Sequence, residues 1–182
     1  MTTVYTRVDS PLGELLLVGE ERTDAAGGVA LASLSLPEQK GAAVVREDWR
    51  HVPEAFAAVT RQLTDYFEGR LTRFDVAYAD GVGTAFQRRV WKALDAIPYG
   101  ETVTYGQIAA QVGSLGAGVR AVGTAIGRNP LLVVRPCHRV IGADGALRGY
   151  AAGVGRKELL LGLEGALSVS RRGAGTHGAA VL

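Results

Sequence analysis

Strand-like runs fill the first third of the chain, and helical spacing takes over beyond it. VYTRV at 4–8 and ELLLVG at 14–19 flank the turn-like DSPLG, which predicts a hairpin. VALASLSL at 29–36 is a third candidate strand, and LPEQKGAAVVREDWRHVP at 36–53 has no period and reads as a connection. Pro53 opens EAFAAVTRQLTDYFEG, where Phe56, Val59, Leu63 and Phe67 fall near helical spacing and Gly69 gives the stop. FDVAYAD at 74–80 reads as one more strand. The pattern predicts an α/β N-terminal domain over 1–80, followed by DGVG at 80–83 as a linker.

From residue 84 to 167 the pattern predicts a second, mainly helical domain. Thr84 is a candidate cap for a helix whose Phe86, Val90, Trp91, Leu94 and Ile97 share one face, and Pro98 ends it. Thr104 caps a short helix, YGQIAAQV, stopped by Gly113. The turn GSLGAG at 113–118 leads to a second short helix near 117–127, and the pair suggests a helix-turn-helix. On that second helix Val119, Val122 and Ile126 point one way, while Ala117, Arg120, Ala121, Thr124 and Gly127 point the other. The latter face is bare but for one arginine, so it can approach another surface closely. The apolar run LLVV then precedes Pro136-Cys137-His138-Arg139, and 155–164 reads as a last helix. The tail SVSRRGAGTHGAAVL at 168–182 has no pattern and is expected to be flexible.

Composition and charge refine this picture. Hydrophobic residues make up 47% of the 182 and charged residues 21%, which favours packed domains over disorder. No apolar run approaches the roughly 20 residues needed to span a bilayer, and MTTVYTRVDS lacks the flanks of a signal peptide. A cytoplasmic protein with no membrane partner is expected. Residues 1–83 carry eight Lys/Arg against thirteen Asp/Glu, a net of −5, whereas 84–167 carry ten against five, a net of +5. A basic second domain suits a phosphate-bearing partner. One cysteine and three scattered histidines offer no metal site, and no cofactor motif is present.

That one cysteine is the candidate nucleophile. Pro136 fixes the backbone before it, and His138 beside it is a candidate base, since a reactive thiol needs a base or a positive field to supply thiolate. Asn129-Pro130, Pro136-Cys137-His138-Arg139-Val140-Ile141-Gly142 and Gly149-Tyr150 together resemble the active-site signature of the O6-alkylguanine-DNA alkyltransferases. The resemblance extends through TAFQRRVWKALDAIPYGETVTYGQIA at 84–109, VRAVGTAIGRNP at 119–130 and RKELLLGLEG at 156–165.

The resemblance implies an α/β lobe followed by a winged helix-turn-helix domain, and direct reversal of alkylation damage in DNA. An alkyl group would pass irreversibly from O6 of guanine, or O4 of thymine, to Cys137, once per molecule. His138 would take the thiol proton through a water, with Glu164 orienting the imidazole. Tyr105 would meet the flipped base and help neutralise guanine, and Asn129 would brace the helix end and the active-site strand. Arg120 would fill the gap left by the extruded nucleotide, with Ala121, Gly123, Thr124 and Tyr105 at the DNA minor groove. Tyr150, Val140, Ala151 and Arg139 would line the base pocket. A monomer is expected, able to assemble cooperatively on double-stranded DNA. The chain departs from the family pattern in a turn one residue longer at 113–118, in Arg135 and Leu132 before the cysteine, and in Ala151 and Ala152 after the tyrosine. Two rival readings share the helix-turn-helix: a lesion-binding protein without chemistry, against which Cys137 argues, and a transcription regulator, for which no dimerisation or effector element is evident.

Overall fold

The computed structural model describes residues 2–114, 116 and 118–167. The expected tail at 168–182, and Leu115 and Ala117 within the 113–118 turn, lie outside the described residues. The chain forms two compact units, one of Met1–Val82 with Pro130–Val134, the other of Gly83–Asn129 with the residues from Arg135 on.

In the first unit, β1 (Thr3–Val8) and β2 (Leu15–Glu21) form the antiparallel hairpin expected from the alternation. Ser10 closes its turn, accepting from the Leu12 N–H at 3.1 Å and donating to the Gly13 carbonyl at 2.7 Å. β3 (Val29–Ser35) adds antiparallel to β2, with a register shift at Val18/Gly19. A Cβ on Gly19 would stand 2.6 Å from Val29 and 2.8 Å from the Ala30 carbonyl, so only glycine fits that irregularity.

The connection at 36–53 hides a strand. β4 (Arg50–His51) runs parallel to β1, giving the sheet order β3-β2-β1-β4. Two residues are too few to show alternation, and tertiary pairing makes the strand: His51 stacks on Tyr5 with ring centroids 5.1 Å apart. Pro53–Phe56 is a 3-10 turn, and α1 (Ala57–Phe67) follows, burying Val59, Leu63 and Tyr66. FDVAYAD is not a strand. Only Tyr78 bridges Leu31, because the Gln62 side chain binds the backbone of Asp75 at 2.8 and 2.9 Å and withdraws it from pairing. Pro130–Val134 completes this unit, with the Leu34 N–H donating to the Pro130 carbonyl at 2.9 Å.

The second unit is helical with a two-strand patch. α2 (Ala85–Asp95) and α3 (Tyr105–Gln111) each open on a capping box, Thr84 with Gln87 and Thr104 with Gln107. Each box satisfies two amide donors that a helix start otherwise leaves open. α2 buries Val90, Trp91, Ala93 and Leu94, and Trp91 donates from Nε1 to the Ala125 carbonyl at 2.9 Å. Ala125 lies on α4 (Gly118–Gly127), whose Val122, Ala125 and Ile126 are buried while Val119 is only half-buried. α3 and α4 form the helix-turn-helix. The small sheet was not expected: β5 (Val103–Thr104) pairs in parallel with β6 (Val140–Ile141). α5 (Val154–Leu163) closes the unit. No helix among the described residues is long and apolar enough to cross a membrane.

Candidate active site

Pro136 turns the chain into a single 3-10 turn, Cys137–Arg139, which stacks three chemically active side chains in the core. Cys137 is buried, and its N–H donates to the Arg135 carbonyl at 2.8 Å. The same carbonyl accepts from Asn129 Nδ2 at 3.1 Å. Asn129 follows the end of α4, and its N–H donates to the Ile126 carbonyl at 3.1 Å. One carbonyl thus holds both Asn129, just beyond the end of α4, and the backbone of Cys137.

Burial pushes the Cys137 thiol up to about 11, while a hydrogen bond with Asn129 and the charge of Lys157 pull the other way. At pH 7 only about one molecule in ten thousand would then carry thiolate unaided. The site therefore needs a coupled base. His138, fully buried, donates from Nε2 to Glu164 Oε2 at 2.8 Å. That fixes the tautomer and leaves Nδ1 as the proton acceptor, an atom that makes no hydrogen bond with a described residue. Desolvation lowers the His138 pKa against the opposing pull of Glu164, so the ring is neutral and basic at pH 7.

Glu164 caps the C-terminus of α5. Burial pushes its carboxyl up, but the hydrogen bonds of His138 and Arg139, with the charge of Arg139, outweigh it and hold the group at about 2. Arg139 grips it twice, Nε to Oε1 at 2.8 Å and Nη2 to Oε2 at 3.0 Å, and sends Nη1 to the Ile97 carbonyl at 2.6 Å. The Arg139 guanidinium is committed behind His138, where a fork of donors matches a buried carboxylate. The Val140 N–H donates to the Cys137 carbonyl.

Tyr105, at the start of α3, donates from its hydroxyl to the Arg148 carbonyl at 3.0 Å. Burial first, and then the charge of Cys137, raises its pKa, so the hydroxyl keeps its proton. Gly149 has a left-handed φ of 63°, and a Cβ there would stand 3.3 Å from that hydroxyl. Tyr150 and Ala152 are buried and Ala151 is half-buried. On α4, Arg120, Ala121 and Thr124 are exposed, with Thr124 donating to the Arg120 carbonyl at 3.1 Å. Gly123 is half-buried, and a Cβ there would be 4.0 Å from the Tyr105 ring.

Lys157 was missed. Its side chain is fully buried, donates to the Arg148 carbonyl at 2.8 Å and lies 5.8 Å from the centre of the Tyr105 ring. Desolvation lowers it to about 8, against the attraction of Cys137. Its signal was present: Lys157, Leu160, Leu161 and Glu164 share one helical face, and a lysine on a buried face implies a partner inside. Among the described residues no three acidic, histidine or cysteine side chains gather as a metal site.

The chain matches the family models described as 6-O-methylguanine DNA methyltransferase, ribonuclease-like domain, over residues 3–78, and 6-O-methylguanine DNA methyltransferase, DNA binding domain, over residues 85–166. A methylated-DNA–protein-cysteine methyltransferase from Mycobacterium tuberculosis is 50% identical over 160 residues, covering 88% of this chain and 91% of that protein. The protein of the same name from Methanosarcina acetivorans is 47% identical over 161 residues, covering 88% and 97%. The crystal structure of Mycobacterium tuberculosis OGT in complex with DNA superposes with a TM-score of 0.78 at 48% identity, covering 90% of this chain and 94% of that one. With both halves matched in order by one family, and with an α/β lobe leading into a helix-turn-helix domain, this chain belongs to the 6-O-methylguanine DNA methyltransferases.

Proposed function

We propose that this chain repairs DNA by moving an alkyl group from O6 of guanine onto Sγ of Cys137, one group per molecule. The observation that carries the reading is the buried Cys137 adjoining His138, whose Nε2 is fixed on Glu164 and whose Nδ1 is left to accept a proton. The thiol proton passes to Nδ1 through a water as the sulfur attacks the alkyl carbon. The S–C bond forms, the C–O6 bond breaks, and its electron pair stays on guanine. Tyr105, with Lys157 beside it, helps neutralise the base as it leaves. A thioether is not hydrolysed under these conditions, so the protein is consumed.

Catalysis and DNA contact are assigned to 84–167. The target atom lies inside a base pair, so the nucleotide must leave the stack. The exposed face of α4, with Arg120 among the small side chains of Ala121, Thr124 and Gly127, suits a close approach to the minor groove and a cation that fills the gap. The relative solved in complex with DNA supports DNA as the partner. A monomer suffices for this chemistry.

The test is intact-protein and peptide mass spectrometry after mixing with excess duplex containing O6-methylguanine. One added methyl per chain, on the peptide bearing Cys137, is expected. Tight binding to that duplex with no added mass would instead favour a lesion-binding protein. Arg120→Ala is expected to slow transfer from duplex about tenfold or more, in line with a few kcal/mol for unstacking, yet to leave transfer from free O6-benzylguanine unchanged. Equal losses on both substrates would contradict the extrusion role.

A further inference from the structure

Arg135 stands immediately before the Pro-Cys pair, and the fold buries it. Its side chain is only 9% exposed. Nε donates to Asp95 Oδ1 at 3.3 Å, and the guanidinium carbon lies 5.1 Å from the centre of the Trp91 ring. Asp95 is the last residue of α2, and Trp91 on the same helix donates to the Ala125 carbonyl of α4 at 2.9 Å. At its other end, the Arg135 carbonyl accepts from both Cys137 and Asn129.

We propose that Arg135 is a positioning residue for alkyl transfer: its side chain, pinned between Asp95 and Trp91, fixes the carbonyl that aims Asn129 and the Cys137 backbone. The proposal rests on the transfer chemistry above and adds a device to it. A planar guanidinium stacked on an indole and hydrogen-bonded to a carboxylate has few conformations open to it. A residue held that firmly holds its own carbonyl. Asn129 in turn touches the thiol, so the clamp reaches the reacting sulfur through two hydrogen bonds. The buried cation also adds to the positive field at the sulfur, as does Lys157. Through Trp91 and Ala125 the same clamp is joined to α4, the helix that carries Arg120. Sequence and geometry thus agree that the cation is a feature of the nucleophile and not of the surface.

The experiment compares the parent with Arg135→Met, Arg135→Lys, Asp95→Asn and the Asp95→Asn/Arg135→Met double variant, each confirmed folded by circular dichroism. Single-turnover transfer is measured at saturating duplex, alongside duplex Kd and the pH midpoint for Cys137 alkylation by iodoacetamide. Arg135→Met is expected to transfer about tenfold more slowly, a modest misplacement on the scale of near-attack geometry, with Kd unchanged and the thiol midpoint moved to higher pH. Arg135→Lys, which keeps the charge but not the flat fork, is expected to restore the midpoint more than the rate. The double variant is expected to be no slower than Arg135→Met, since both changes break one contact. A parental rate and midpoint in Arg135→Met overturns the proposal. So does a fall in rate matched by an equal fall in duplex affinity, and so do single losses that multiply in the double variant. The iodoacetamide midpoint needs no DNA substrate, so it decides the clamp separately from the repair reading, which the parent's own methylation tests.

Discussion

Glu164→Gln is expected to remove nearly all transfer activity and to weaken the fold at the same time. The side chain keeps its shape, but one of its two acceptors becomes a donor. His138 Nε2 and two nitrogens of Arg139 all need acceptors at that carboxylate, and Gly100 N–H approaches it at 3.4 Å. Arg139 is left as a buried cation without its counter-charge, which costs about 3–5 kcal/mol in a desolvated setting. His138 loses the acceptor that selects its tautomer, and loss of such an orienting carboxylate in a hydrolytic triad costs about 10⁴ in rate. Urea unfolding and single-turnover transfer, measured well below the midpoint of the variant, separate the two effects. Adding Arg139→Met to Glu164→Gln is expected to recover part of the stability and none of the transfer. A Glu164→Gln protein within threefold of the parental rate would show that the imidazole needs no orienter.

The rate of transfer is expected to follow a bell against pH, set by two buried bases and not by the free thiol. His138 is held below its usual 6.5 by desolvation, so the acid limb should have its midpoint below 6.5. On the alkaline side, Lys157 loses its proton near 8 and with it the positive charge that favours thiolate. Transfer should therefore decline above about pH 8, although the thiol itself titrates only near 11. Lys157→Met should flatten that alkaline limb. A rate that climbs steadily to pH 10 would mean that the sulfur ionises on its own. Stability has its own acid limb. Glu164 titrates near 2 when folded against an ordinary 4.5. Its contribution, on the order of 3 kcal/mol, is complete above pH 4.5 and is lost as pH falls from there towards 2. Thermal melts across pH 2–6 should show that loss in the parent and not in Glu164→Gln.

The elements most legible in the sequence were those whose signals are local. The DSPLG hairpin, the Thr84 and Thr104 caps and the two faces of α4 each depend on residues within a few positions of one another. The strands that escaped, β4 and the β5–β6 pair, are two residues long and exist because a distant partner aligns them. FDVAYAD had the composition of a strand but lost its pairing to the Gln62 side chain, thirteen residues away from Asp75. In the site, the motif brings Cys137, His138 and Asn129 to notice, and the fold sets His138 against Glu164 and Asn129 against Cys137. The pairing of Arg139 with Glu164 is not legible, because sequence shows an arginine's charge but not which carboxylate will hold it. Arg135 stood out in the sequence only as a departure beside the cysteine, and Lys157 did not stand out at all. The partner of Arg135 is Asp95 at the end of α2, forty residues away, and that of Lys157 is a backbone carbonyl, Arg148, which no side-chain pattern reports.

Cys137 is the only thiol in the chain, and it is buried in the native fold. Every unreacted molecule therefore carries one titratable sulfhydryl, and every molecule that has fired carries none. After denaturation, a single colorimetric thiol reading divided by protein concentration gives the fraction of any stock still able to act. A purified batch can thus be calibrated without a DNA substrate, and its history of exposure to alkylating agents read from the same number.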